Sequence, residues 1–190
     1  LDVSDALVPP GDAPLPAEDI LRYVDHLALY HSIYMEDESM ENPALGLCTI
    51  RDWVLLLTPR EVRVTERERN DGNPTAPQVA RGWEAFERVA PAPAASLVTR
   101  LMNNLRPFMR ALERSPRTLN HGDYKFGNLG TLRIVPSADV PDAASIAGPT
   151  IILDWGQAMY APPTFDLGWF LAVNSARLSI AKEDIIERYH

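Results

Sequence analysis

His121-Gly122-Asp123-Tyr124-Lys125-Phe126-Gly127-Asn128, followed by Ile151-Ile152-Leu153-Asp154-Trp155-Gly156, is the stretch on which the reading of this chain turns. It sets three oxygen-bearing side chains, Asp123, Asn128 and Asp154, at the ends of short strands or in the loop between them. Gly122 lets the backbone take unusual angles directly before Asp123. Placed near a substrate hydroxyl, Asp123 can orient that group and accept its proton. Asn128, five residues on, offers a neutral oxygen ligand, and Asp154, closing an apolar β-branched run, offers a charged one. Magnesium takes oxygen donors and keeps part of its water shell, so one carboxylate, one amide oxygen and a nucleotide's phosphates satisfy it. The set suits phosphoryl transfer from a magnesium-bound nucleotide, where positioning and charge neutralisation supply most of the catalysis.

Each of these residues alone is ordinary. An Asp or Asn in a glycine-containing loop is usually a turn former, and it is the joint pattern that outweighs turn chemistry. Lys125 either contacts the transferred phosphoryl group or faces solvent. His121 is expected to pack beneath the loop and hold it by hydrogen bonding, with direct catalysis as the alternative. Asp166, opening Asp166-Leu167-Gly168-Trp169, reads as a cap or as a support for the loop rather than a metal ligand.

Working outward, residues 118–120, 129–135 and 150–153 read as short strands, with a loose polar turn at 136–149. Helices are expected over 165–175 and from Ala181 onward. Upstream the pattern is helical. An amphipathic helix over 18–35 carries Leu21, Val24, Leu27, Ala28, Tyr30 and Ile33 on its apolar face. Thr49-Ile50-Arg51-Asp52 and Thr58-Pro59-Arg60-Glu61 each have the form of a helix start, a hydroxyl with a carboxylate three residues on, and predict helices over 50–57 and 59–68. Asp71-Gly72-Asn73-Pro74 is a break. Val79, Trp83, Phe86 and Val89 predict a helix over 77–90 that ends at Pro91 and Pro93. Leu97, Leu101, Leu105, Phe108 and Leu112 recur at helical steps, with Pro107 expected to kink or divide the run. Arg106, Arg110 and Arg114 form a basic stripe that reads as a solvated face. His26 and His31 read as packed or capping side chains. Residues 1–17, rich in Pro and Gly, read as an extended connector.

Composition narrows the partners. With 26 acidic against 18 basic side chains the formal net charge is -8, which repels nucleic-acid backbones. No run of 18 apolar residues occurs, so no membrane span is expected. Cys48 is the only cysteine, so no internal disulfide can form, and a cytoplasmic setting is favoured. Cys48 itself reads as a small buried hydrophobe. The start at Leu1 without Met, and a last helix that runs to His190 without a cap, suggest a chain truncated at both ends.

His-Gly-Asp, the Asn five residues later and Leu153-Asp154-Trp155 together resemble the C-terminal lobe of the aminoglycoside phosphotransferase and choline kinase-like family of small-molecule kinases, related in fold to protein kinases. Asp166-Leu167-Gly168 is similar to the family's later Asp-Leu-Ala or Asp-Leu-Gly segment, and Leu27-Ala28-Leu29-Tyr30-His31 to its early lobe helix. The resemblance implies an α+β fold, a protein kinase-like C-terminal lobe that is mainly helical with a small inserted β element. Residues 1–17 would then be a post-hinge connector and 18–190 the acceptor-binding and catalytic lobe. It implies Asp123 as catalytic base, and Asn128 and Asp154 as ligands of the Mg2+ that bridges the phosphates of ATP; Lys125 and His121 join Asp123 as catalytic candidates by their place in the loop. The acceptor would be a hydroxyl of a small molecule such as an amino sugar, an aminoglycoside or a choline-like compound. The acidic balance leans toward a cationic one. The chain departs from the family in two places. Gly156-Gln157 follows Asp154-Trp155 where many members carry an acidic residue. Nothing resembles the N-terminal lobe, with its Gly-rich strand-turn-strand and its strand lysine, so such a lobe is expected upstream and the 190 residues alone are expected to be a poor catalyst. Two rival readings remain at this level: a catalytically silent kinase-like binding or regulatory module, and a metal-dependent phosphohydrolase, which would need more acidic ligands.

Overall fold

The computed structural model describes residues 2–56, 58, 75–133 and 147–190. In chain order its main elements are α1 (Ala17–Ile33), α2 (Ile50–Leu56), α3 (Thr75–Val89), α4 (Ala92–Asn103), α5 (Arg106–Leu112), β1 (Thr118–Asn120), β2 (Leu129–Arg133), β3 (Ala147–Ile152), β4 (Met159–Ala161), α6 (Thr164–Val173) and α7 (Lys182–Tyr189). The fold is mixed α+β and mainly helical, with a small open β element. The chain divides into two compact units. One joins Leu1–Leu47 to Pro116–His190, and the other is Cys48–Ser115.

In the first unit, α1 buries Ile20, Tyr23, Val24, Leu27 and His31, spaced by three or four residues along one stripe. Each fully buried aliphatic side chain here contributes about 1.5–3 kcal/mol. The expected apolar face is shifted: Ile33 is 64% exposed, while Ile20 and His31 lie inside. The reason is the stripe's own geometry, since Leu27 and His31 are one turn apart on it and Ile33 falls two positions beyond. The stripe meets Tyr124, Phe126 and Leu129 from the strand region, Leu167 and Phe170 of α6 and Ile185 of α7 in one core. Phe126 and Phe170 meet edge to face at 5.3 Å.

Residues 2–16, expected as part of an extended connector, hold a single 3-10 turn at Ser4–Ala6 and are tied to the strand region. Leu7 bridges to Gly130, and the Val8 N–H donates to the Leu129 carbonyl at 2.8 Å. A Cβ at position 130 would come within 2.5 Å of the Ala6 carbonyl oxygen, so glycine is what admits this close approach.

The β element is two antiparallel pairs. In one, Asn120 of β1 faces Met159 of β4; in the other, Leu129 of β2 faces Ile152 of β3. Both ladders therefore have one end at the same two connections, 121–128 and 153–158. Strand β4 was not expected from the sequence, and β3 begins at Ala147, earlier than the 150 expected. The helices expected over 165–175 and from Ala181 form as α6 and α7.

In the second unit, Thr49 and Asp52 make the expected reciprocal cap, with Asp52 N–H on Thr49 Oγ1 at 3.0 Å and Thr49 Oγ1–H on Asp52 Oδ2 at 2.7 Å. Pro107 falls within a divided run, α4 then α5, as its missing donor requires. Trp83 and Phe86 of α3 touch edge to face, but Val89, expected toward a core, is 77% exposed, and so is Leu97 of α4 in lesser degree at 48%. Both sit at positions where periodicity names a face without naming anything for it to pack on. Arg106, Arg110 and Arg114 are exposed, and Cys48 is half-buried and in no disulfide. The helix expected over 59–68, the break at 71–74 and most of the turn at 136–149 lie outside the described residues.

Three buried phenols give the first unit an alkaline pH dependence. Burial, reinforced by the nearby Asp166 carboxylate, raises Tyr30 and Tyr124 well above the ordinary phenol value and pushes Tyr189 up to about 12. A phenol whose folded pKa exceeds its unfolded value holds more protons folded than unfolded between the two. Its stabilisation is therefore full below about pH 10 and is lost as pH rises through the folded value. The unfolding free energy is expected to hold level to about pH 10 and then fall by about 1.4 kcal/mol per pH unit for each phenol still protonated only in the fold. Urea midpoints between pH 8 and 12 check this, and Tyr189→Phe should make the fall shallower.

Candidate functional site

Alternation builds the 121–128 loop. Tyr124 and Phe126 are buried and Lys125, between them, is half-buried, so the two aromatic anchors turn the lysine outward. The Tyr124 hydroxyl donates to the Tyr23 carbonyl at 2.8 Å, tying the loop to α1. Gly122 has φ +82, a left-handed conformation that glycine adopts without strain. A Cβ there would be driven into the Gln157 carbonyl, so the connection 153–158 lies directly on the loop.

A wholly buried carboxylate fixes the loop's backbone. Asp166, in the first turn of α6, accepts the His121 N–H on Oδ2 at 2.6 Å and the Gly122 N–H on Oδ1 at 2.8 Å. His31 Nε2 lies 3.3 Å from Oδ2, and Tyr189 OH reaches His31 Nδ1 at 2.5 Å. With the tyrosine held protonated, the hydroxyl donates to Nδ1 and Nε2–H donates to Asp166. His31 is thus a packed core histidine. At the far end of α6, Asn174 Oδ1 accepts the Phe126 N–H at 3.0 Å. Asn120 contributes from β1: its Oδ1 accepts the Asp166 N–H at 3.3 Å and its Nδ2 donates to the Ala161 carbonyl at 2.8 Å.

His121 is wholly buried with both ring nitrogens committed to backbone. Nδ1 accepts the Asp123 N–H at 3.2 Å, so Nε2 carries the hydrogen that it donates to the Leu153 carbonyl at 2.8 Å. The ring holds the loop to the 153–158 connection, which is the packing role expected for it.

The Asp123 carboxylate is held on both oxygens. Oδ2 takes the Lys125 ammonium at 2.5 Å and the Asn128 amide at 3.0 Å, and Oδ1 takes the Trp169 indole N–H at 2.9 Å. Asn128 Nδ2 also donates to the Asp123 backbone carbonyl at 2.9 Å. Its amide nitrogen is thereby committed, and the amide oxygen is the atom with which Asn128 can ligate a cation.

Asp154 reaches the same place by its backbone. The residue before it, Leu153, donates its N–H to the Asn128 carbonyl at 2.9 Å and accepts from His121. Three residues after it, Gln157 abuts Gly122. Asp154 lies between these two attachments, exposed, with φ +62. A left-handed angle in a non-glycine residue costs energy that the surroundings must impose, and such residues concentrate at functional sites.

The structure thus brings Asp123, Lys125 and Asn128 into direct contact, places His121 beneath them and fastens the Asp154 backbone alongside. Asn120, Asn174 and the Trp169 contact were not read from the sequence. Trp169 lies three residues after Asp166, on the same side of α6, which is the one local signal that pointed to it. Among the described residues no group of three or more His, Cys, Asp or Glu side chains gathers as a metal site, and no helix is long and apolar enough to cross a membrane. The donor set at issue here is of another kind, two aspartates and an asparagine amide. No family model matches this chain, no curated protein matches it, and no solved structure matches it.

Proposed function

We propose that the chain is the catalytic part of an ATP- and Mg2+-dependent phosphotransferase that acts on a hydroxyl of a small molecule, an amino sugar, aminoglycoside or choline-like compound being the class it suits. One observation carries the reading: a carboxylate in a glycine loop is gripped by three side chains, Lys125, Asn128 and Trp169, and its side chain is only 9% exposed. A turn-forming Asp needs one backbone N–H and no such cage. Asp123 accepts the acceptor hydroxyl's proton as that oxygen attacks the terminal phosphorus, the bond to the bridging oxygen breaks, and ADP leaves. Lys125 holds the carboxylate in place and has the half-exposed reach to meet the transferred group. Asn128, through its amide oxygen, and Asp154 would hold the Mg2+, and their hard oxygen donors fit that ion. When bound, the ion supplies neutralisation of phosphate charge.

A second reading, a catalytically silent binding or regulatory module of kinase-like form, draws support from the 2.5 Å ion pair that closes Lys125 over Asp123. Substrate-dependent ADP release separates the two, measured with Mg2+ on the full gene product against a panel of hydroxylated amines and sugars. Asp123→Ala is expected to lower turnover about 10²–10⁴-fold, the range a positioned general base supplies, while nucleotide still binds. An Asp123→Ala protein as active as the parent would remove the base. Nucleotide binding without turnover on the whole panel would favour the silent module.

A further inference from the structure

We infer that Trp169 is a positioning residue for the base: its indole N–H selects Asp123 Oδ1 as the oxygen that takes the proton and holds it at a fixed rotation. This rests on the phosphotransferase reading above. The donors around the carboxylate are divided unequally. Oδ2 receives an ammonium at 2.5 Å and an amide at 3.0 Å, while Oδ1 receives only the indole at 2.9 Å among these three. An oxygen that already accepts an ammonium and an amide has little lone-pair room left for an incoming hydroxyl. Oδ1, with one of the three donors, keeps that room. Indole nitrogen is a donor without acceptor capacity, so it can orient Oδ1 without competing for the hydroxyl's proton.

The position of Trp169 makes the hold rigid. Asp166, three residues earlier on α6, fixes the His121 and Gly122 N–H groups, and Asn174, at the end of α6, fixes the Phe126 N–H. One helix, seated in the core by Phe170, thereby sets both the backbone of the loop and the rotation of its carboxylate.

Two variants separate the donor from the ring. Trp169→Phe removes the N–H and part of the ring. A benzothiophene analogue of tryptophan placed at position 169 keeps the bicyclic shape and removes only the N–H. Both are expected to lower kcat about 10- to 100-fold, the loss of one hydrogen bond to a charged group, with KM for ATP and for the acceptor unchanged. The chain has four tryptophans, so the indole N–H signal that disappears in Trp169→Phe identifies this one in a 15N-labelled spectrum. It should lie downfield and exchange slowly, and should move upfield and exchange faster in Asp123→Ala. If the analogue turns over like the parent while Asp123→Ala is inactive, the role given to Trp169 is wrong and the phosphotransferase reading stands. If the parent itself shows no turnover, both fall. An indole signal indifferent to Asp123→Ala also overturns the role.

Discussion

Asp166→Ala is expected to lower the unfolding free energy by about 3–5 kcal/mol, the range for removing one partner from a buried charged network. The carboxylate is wholly buried and meets three groups: the N–H of His121, the N–H of Gly122 and Nε2 of His31. Alanine offers none of them an acceptor. Each backbone N–H left buried and unpaired costs about 1–3 kcal/mol, and water has no ready path to two amides beneath α6. Asp166→Asn keeps the shape but has one acceptor oxygen, so its NH2 must face an N–H. It should fall between the parent and Ala. Urea midpoints measure the loss, and hydrogen exchange at the His121 and Gly122 amides should accelerate ahead of global unfolding. An Asp166→Ala protein of parental stability with slow exchange at both amides would mean that the loop holds itself.

Gly122→Ala is the second large effect, expected at about 2–6 kcal/mol from two sources. A residue with a Cβ at φ +82 meets left-handed strain, about 1–3 kcal/mol. The added carbon is also forced into the Gln157 backbone carbonyl, and overpacking of this kind costs about 1–3 kcal/mol more. Backbone cannot rotate out of the way as a side chain can, so the 153–158 connection must shift, taking Asp154 with it. Activity should fall further than stability explains. Gly168→Ala is the contrast: it lies inside α6, nothing stands within 4 Å of the new carbon, and the change should stabilise by about 0.5–1 kcal/mol. Equal effects at the two glycines, read by thermal melts, would show that the close approach at Gly122 is not a constraint.

Features set by neighbours in the chain were legible in the sequence. The Thr49–Asp52 cap, the division at Pro107, the loop between β1 and β2 and the run closing at Asp154 all depend on residues within a turn or a strand of one another. So did the packing role of His121, because a histidine beside a flexible glycine has backbone amides within reach. What failed was set at long range. β4 is three residues paired with a strand about forty positions earlier, too short for alternation to show. Asn120 and Asn174 look like any polar residue until the amides they satisfy are in view. Ile33 and Val89 satisfied a helical period yet point to solvent, because a period defines a face and leaves its partner unspecified. The division into two units, with one inserted in the other, leaves no mark on local composition.

The proposed phosphotransfer requires one divalent cation against Asn128 and Asp154, with Asp123 beside it. Paramagnetic broadening by Mn2+, in the presence of a non-hydrolysable ATP analogue, tests it most directly. The backbone amide signals of residues 123, 128 and 154 should broaden together at the lowest Mn2+ additions, recover when Mg2+ is added in excess, and no longer respond in Asp154→Ala. Broadening that begins instead at the acidic segment Glu36–Glu41, or that reaches residue 154 without touching 123 and 128, would contradict it.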